Sequence, residues 1–179
     1  MAIREIRKDK DEALHTKCKK VESIDNKILE LIEDLKETMY KYDGIGIAAP
    51  QVGVLKQILV YDIDYVEENG DFNPRALINP VITKASKKMI TTEEGCLSFP
   101  DYFGYVDRPD SVTVKGYNEK FEEVIINAVG LEAVVLQHEI DHLNGRVFTD
   151  IAYDTYYGER PDELTEKYYG KSKKGKKKK

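Results

Sequence analysis

The chain has 179 residues, 41% of them hydrophobic, and a formal net charge of −5. That length suits one domain with a single sizeable core, and no run of about 18 apolar residues offers a membrane span. Two cysteines cannot build a disulfide framework, and the early charged residues exclude a secretion signal, so a reducing, cytoplasmic setting is expected.

Residues 1–22 are charged and mixed, with room for a short helix around Asp9 to Thr16. From Asp25 to Tyr42 the apolar positions Ile28, Leu31, Ile32, Leu35 and Met39 follow helical spacing. Asp25 serves as N-cap and Asp43-Gly44 as the stop, with Gly44 suited to the left-handed position that ends a helix. The segment from Asp43 to Gln51 is then packed with small residues, and Gly44 and Gly46 leave a backbone that a peptide could approach closely. It lacks the third glycine and the lysine-serine pair of a phosphate loop. Taken alone, it is better explained by an ordinary helix cap and turn.

Gln57 to Ile63 reads as a strand, and Glu67 to Pro74 as a polar turn. Leu77 to Ile82 is a second strand that Pro80 places at an edge or a bend. Ser111 to Tyr117 alternates through Val112 and Val114, and Asn118-Glu119 joins it to a partner strand from Phe121 to Asn127 as a hairpin. A helix follows from Gly130 and ends at Asn144-Gly145. Strands followed by a helix in this order predict an α+β fold with antiparallel pairing. Tyr153, Tyr156, Tyr157, Tyr168 and Tyr169 are expected to pack against the body rather than to form a stacking platform. Residues 171–179 hold seven lysines and no acid, and subtracting their charge leaves −12 for residues 1–170. Such a basic end reads as a disordered, solubilising tail.

The last helix carries the chemistry. His138-Glu139-Ile140-Asp141-His142 sets two imidazoles four residues apart, one turn along a helix face, so both can reach one metal ion. Glu139 then stands where a carboxylate can manage a proton beside that ion. Leu131, Val134, Val135, His138 and His142 share one apolar stripe, so the rings continue the buried side of the helix. Either histidine alone would more often be a packed core residue, and it is the pair flanking Glu139 that reverses those odds.

A catalytic site of this kind generally needs three protein ligands. The extended motif with a third downstream histidine fails here, because Phe148 occupies that position. Asp150, Asp154 and Glu159 are possible on spacing alone. Cys96, in Glu94-Gly95-Cys96-Leu97-Ser98, is a better candidate, since a thiolate suits a borderline or soft divalent metal. By itself it could equally be a small buried thiol.

Taken together, Gly44-Ile45-Gly46-Ile47-Ala48-Ala49-Pro50-Gln51, Glu94-Gly95-Cys96-Leu97-Ser98 and Gln137-His138-Glu139-Ile140-Asp141-His142 resemble the three signature motifs of peptide deformylase, in that family's order. The resemblance runs from about residue 1 to residue 153, which sets a catalytic domain at 1–153 and a C-terminal extension with the lysine-rich tail at 154–179. It implies antiparallel and mixed sheets around a central helix that bears both histidines. It also implies a bacterial cytoplasmic hydrolase that removes the formyl group from N-formylmethionyl peptides and releases formate.

In that likeness Cys96, His138 and His142 hold one divalent metal. Family precedent favours Fe2+, while the ligand types also suit Zn2+, Ni2+ or Co2+. Glu139 is the proton carrier, and the Leu97 backbone N–H and the Gln51 amide are the oxyanion donors. Ile45, Leu131 and Val134 are candidates for the methionine slot, with Gly44 and Gly46 beside the substrate main chain. Asp141 is expected to orient a ligand or its loop, and Glu94 to pair with Arg108, unless that pair is an ordinary surface ion pair. Since the family acts on nascent chains, the basic tail invites a ribosome contact, and no membrane or DNA partner is expected. Two rivals stand beside this reading: a zinc endopeptidase sharing the His-Glu-x-x-His motif, and a protein whose metal is only structural.

Overall fold

A computed structural model describes residues 1–66 and 70–171. The expected helix is present as α1 (Asn26–Lys41), capped by Asp25, whose side chain accepts from the Ile28 N–H. Its stop differs in one detail. The left-handed residue is Asp43 (φ 53°), and Gly44 has ordinary φ. A short polar side chain tolerates that conformation. Gly44 is needed for space, since a Cβ there would stand 2.9 Å from the Leu97 side chain.

Five antiparallel strands form the main sheet in the order β1-β2-β3-β6-β7. They are β1 (Gly46–Ala48), β2 (Ile58–Tyr61), β3 (Arg75–Ala85), β6 (Ser111–Tyr117) and β7 (Glu123–Val129). The 111–117 hairpin expected from sequence is the β6–β7 pair, linked through Asn118–Glu122. Strand β3 is not an edge, because β2 and β6 flank it. Pro80 is accommodated at a register shift between Ile78 and Val81, where Asn79 has φ 50°. A bulge leaves a residue without a ladder bond, which is what a proline needs inside a sheet.

The expected motif helix is α2 (Leu131–Leu143), ending at Asn144 with Gly145 at φ 72°. Strand β2 explains its setting. All four residues of Ile58–Tyr61 are buried, and period-2 alternation sends Ile58 and Val60 toward α1 and Leu59 and Tyr61 toward α2. The sheet is therefore covered on both faces, which is why this strand reads as an unbroken apolar run.

The single apolar stripe expected on α2 is too narrow. Ala133 to Gln137 are buried in succession, whereas Leu131, at the helix start, is 48% exposed. A helix enclosed between two sheets buries most of its circumference.

The second sheet, in the order β4-β5-β8, supplies the other wall. Its strands are β4 (Met89–Cys96), β5 (Phe99–Pro109) and β8 (Tyr153–Tyr157). The extension expected after residue 153 thus begins as a strand paired with β5, and it continues into a last helix, α3 (Asp162–Tyr169). Two of its tyrosines pack on the body as expected, Tyr156 stacking on Phe103 and Tyr168 on Tyr105, whereas Tyr157 and Tyr169 are 76% and 59% exposed. Residues 67–69 of the expected polar turn, and the lysine-rich tail from 172 on, lie outside the described residues. Among those described, no helix is long and apolar enough to cross a membrane.

Candidate metal centre

Three side chains, one from β4 and two from α2, meet where the two sheets face that helix. One ligand atom from each of Cys96, His138 and His142 lies within 4.8 Å of the others. The two rings stand one helical turn apart, with centroids at 5.1 Å. Cys96 is the last residue of β4, where the β4–β5 ladder slips register between Gly95 and Cys96. The slip leaves Pro100, Asp101 and Tyr102 of β5 unmatched and ends the regular pairing at Cys96, and Cys96 Sγ comes to 3.4 Å from His142 Nε2.

Glu94 fixes the orientation of His138. Its Oε1 is 2.7 Å from His138 Nδ1, so Nε2 is the nitrogen left for a metal. Arg108 grips the same carboxylate through Nε at 2.6 Å and Nη2 at 2.9 Å, and its Nη1 donates to Asp141 at 3.0 Å. Arg108 and Glu94 are 4% and 6% exposed, so the surface ion pair considered from sequence is excluded. Burial pushes the Glu94 carboxyl up, but Arg108 and His138 outweigh it and hold the pKa at about 2.

The same surroundings divide the two rings. Burial alone would lower the His138 pKa, but Cys96 and Glu94 hold it well above the ordinary imidazole value. Burial, reinforced by His138 and Arg108, keeps His142 well below that value. His142 is therefore a neutral imidazole, the state that coordinates. At His138 a cation would replace a proton held beside sulfur and carboxylate.

Glu139 projects toward β1. It is 4% exposed, its Oε2 has no hydrogen-bond partner, and burial lifts its pKa to about 7. Gly46 makes room for it, because a Cβ at Gly46 would lie 2.7 Å from Glu139 Oε1. The glycine expected to admit a substrate backbone also admits this carboxylate.

Gln51 is held at 1% exposure in a short 3-10 turn, Ala49–Val52. Its Oε1 accepts from the Ala48 N–H at 2.9 Å, which fixes the amide orientation. The Nε2 group then faces Ser98 Oγ at 3.3 Å and Cys96 Sγ at 3.5 Å. Leu97, the next residue, is anchored by Lys8 Nζ on its carbonyl at 3.2 Å.

These groups stand along a cleft of about 670 Å3. Gly44, Ile45, Gly46, Leu131 and Val134 all line it, together with Phe99, Tyr102 and Phe103, which sequence reasoning missed. Asp141 is not among the converging ligand atoms and accepts from Arg108. Asp150 caps the Val147 N–H, and Asp154 is engaged by Lys167 and Tyr168, so neither joins the trio.

Phe148, at the position where the extended motif has a histidine, is 1% exposed and stacks on His138 with centroids 6.0 Å apart. Ser98 was visible inside the quoted motif. In the sequence Phe148 is visible only as a residue that cannot coordinate, and no local pattern announces its stacking on His138.

The donor set fits a metal. A thiol and two imidazoles converge, one imidazole is oriented by a carboxylate as metal-binding histidines commonly are, and His142 Nδ1 and Glu139 Oε2 are both buried without a hydrogen-bond partner. Three ligands, the number found among the described residues, suit an open catalytic site better than a closed structural one.

Comparison with known proteins gives the family. The family model described as polypeptide deformylase matches residues 3–155. Peptide deformylase 1 of Clostridium acetobutylicum is 51% identical over 150 residues, 84% of this chain and 95% of that protein. The peptide deformylase of Natranaerobius thermophilus is 46% identical over 156 residues, 87% of this chain and 96% of the relative. Among solved structures, that of peptide deformylase from Thermotoga maritima superposes with TM-score 0.79 at 38% identity, over 86% of this chain and 99% of the other. That of the Ehrlichia chaffeensis enzyme in complex with actinonin gives TM-score 0.79 at 39% identity, over 86% and 91%.

Proposed function

Because this chain belongs to the polypeptide deformylase family, we infer that Cys96, His138 and His142 form the metal centre of its hydrolase site. The enzyme removes the formyl group from the initiator methionine of nascent polypeptides and releases formate. The observation that carries the site assignment is the meeting of that trio with Glu139 at the wall of the cleft. The comparisons favour deformylation over general endopeptidase cleavage.

A divalent ion held there supplies Lewis-acid polarisation of the formyl oxygen and makes a neighbouring water more acidic. Family precedent and ligand chemistry make Fe2+ the expected ion, with Zn2+, Ni2+ and Co2+ as substitutes. The remaining work belongs to the chain. Glu139, buried and with a pKa near neutrality, takes a proton from the attacking water and returns it to the leaving amine. The Gln51 amide, pinned by Ala48, and the Leu97 backbone N–H, steadied by Lys8, donate to the oxygen where negative charge develops.

Ile45, Leu131 and Val134 enclose the methionine side chain, and the Gly44–Gly46 backbone runs beside the substrate main chain. Glu94, Arg108 and Asp141 hold His138 in place through the buried carboxylate. The seven lysines of residues 171–179 give an otherwise acidic chain a contact with ribosomal RNA.

One assay separates the readings. Metal-loaded protein is mixed with a formyl-methionyl peptide and with its amino-free counterpart, and formate and new fragments are measured. Formate without fragments is expected. Fragments from the free peptide would establish an endopeptidase, and neither product would leave the metal a structural role.

A further inference from the structure

Glu93 and Glu94 are neighbours on β4, yet each is neutralised by an arginine from a different part of the chain. Glu94 belongs to Arg108 on β5. Glu93 is gripped by Arg160, with Nε on Oε1 at 2.9 Å and Nη2 on Oε2 at 2.6 Å, and it accepts from the Tyr156 hydroxyl at 2.5 Å. The Arg160 guanidinium also lies 4.5 Å from the centre of the Tyr169 ring.

A second contact runs two rows further along the sheet. Gly95, Phe103 and Tyr156 are paired across β4, β5 and β8. Gly95 lies so close to Phe103 that a Cβ there would be 2.9 Å from the ring, and Tyr156 stacks on Phe103 at 5.5 Å. The C-terminal segment therefore grips β4 at Glu93 and, through Phe103, at Gly95.

Those are the residues three before and one before Cys96, and the ladder slips register directly after Gly95. Cys96 stands where the regular pairing of β4 ends, so its place depends on what holds the β4 residues just before it. Arg160 lies past residue 155, where the family match ends.

We propose that the segment from Tyr153 to Tyr169 is a buttress that fixes Cys96 for metal binding, with Tyr156 and Arg160 as positioning residues acting through Glu93 and Phe103. This rests on the reading of Cys96, His138 and His142 as the metal centre. Without Arg160 the partly buried Glu93 carboxylate loses its ion pair and keeps only the Tyr156 hydroxyl, so it turns toward water and the strand ahead of Cys96 loosens.

The test uses full-length protein loaded with cobalt(II), as wild type, Arg160→Gln, Tyr156→Phe, Glu93→Gln and the Glu93→Gln/Arg160→Gln double variant. Metal release to a chelator is followed through the thiolate-to-cobalt absorption. In metal-free protein, the reaction rate of Cys96 with a disulfide reagent is measured. Arg160→Gln is expected to release metal about 10-fold faster, near the lower end of what contacts behind a ligand contribute, and to expose Cys96 to faster modification. In the Glu93→Gln background the same change should add nothing.

Release and modification rates equal to wild type would overturn the proposal, even with a lowered melting temperature, since the segment would then only stabilise the fold. Additive effects in the double variant would also overturn it. If Arg160→Gln fails to fold, Tyr156→Phe, which removes one oxygen, decides on the same two rates. A wild type that binds cobalt without a thiolate band would instead remove the metal-centre reading, and this inference with it.

Discussion

Glu139 stands 4% exposed with one oxygen unpartnered, which makes its charged form costly. Its pKa is raised from 4.5 to about 7 by burial. The folded protein thus holds this proton more tightly than the unfolded chain does. The stabilisation is complete below the unfolded value and is lost as pH rises through about 7.

Glu139→Gln is accordingly expected to stabilise the metal-free protein near pH 8, by at most about 3 kcal/mol, with little gain near pH 4. Urea unfolding of chelator-treated protein at both values checks this. In loaded protein the same variant should keep its metal and lose about 10²–10⁴ in kcat.

Glu94 has the opposite sign. Its lowered pKa contributes stability above the unfolded carboxylate value, which is lost as pH falls toward about 2. Arg108→Met leaves that carboxylate buried without its ion pair, and about 3–5 kcal/mol of stability should go with it in denaturant titrations.

At this scale the sequence was readable where partners are close in the chain. His138, Glu139 and His142 announce themselves by helical spacing. The Glu94–His138 and Gln51–Ser98 contacts span 44 and 47 residues, and no local pattern carries them. Gly46 was noticed for its openness, but sequence does not say that a carboxylate fills the gap.

Among the elements, β4 and β5 escaped a sequence reading although they carry Cys96. Thr91, Thr92, Glu93 and Glu94 give β4 almost no apolar alternation. Its charges are satisfied instead by Arg160 and Arg108, from far along the chain. Helix α2 showed its type and ends plainly but not its setting, since burial on nearly all sides follows from the two sheets around it.

Strand β1 has only three residues, yet it sets the space available to Glu139. Gly46→Ala would press a methyl into that carboxylate while keeping the strand's backbone. We expect kcat to fall by about 10-fold or more, an effect of roughly 1.4 kcal/mol on the barrier, with the melting temperature little changed. Steady-state kinetics alongside thermal unfolding distinguishes this from general destabilisation.

For the molecule as a whole, one strand, β2, is covered by α1 on one face and α2 on the other, and a second sheet closes over the motif helix. That arrangement brings a thiol and two imidazoles, 42 and 46 positions apart in sequence, onto one spot. Fold class was legible because strand and helix patterns appear in an α+β order. The β8–α3 segment was not, because its tyrosines take their meaning from rings on β5.

The charge asymmetry of the full chain makes a separate prediction. Removing residues 172–179 should leave turnover of a short formyl-methionyl peptide unchanged while weakening ribosome association. The difference between the two proteins should shrink as salt rises. Sedimentation with ribosomes at several salt concentrations measures it.

Anomalous diffraction from crystals of the zinc- or nickel-loaded protein addresses the metal centre itself. A single peak is expected about 2.0–2.3 Å from Cys96 Sγ, His138 Nε2 and a His142 ring nitrogen. A peak lying elsewhere, or one bound by both rings with the sulfur out of reach, would contradict the assignment of this site.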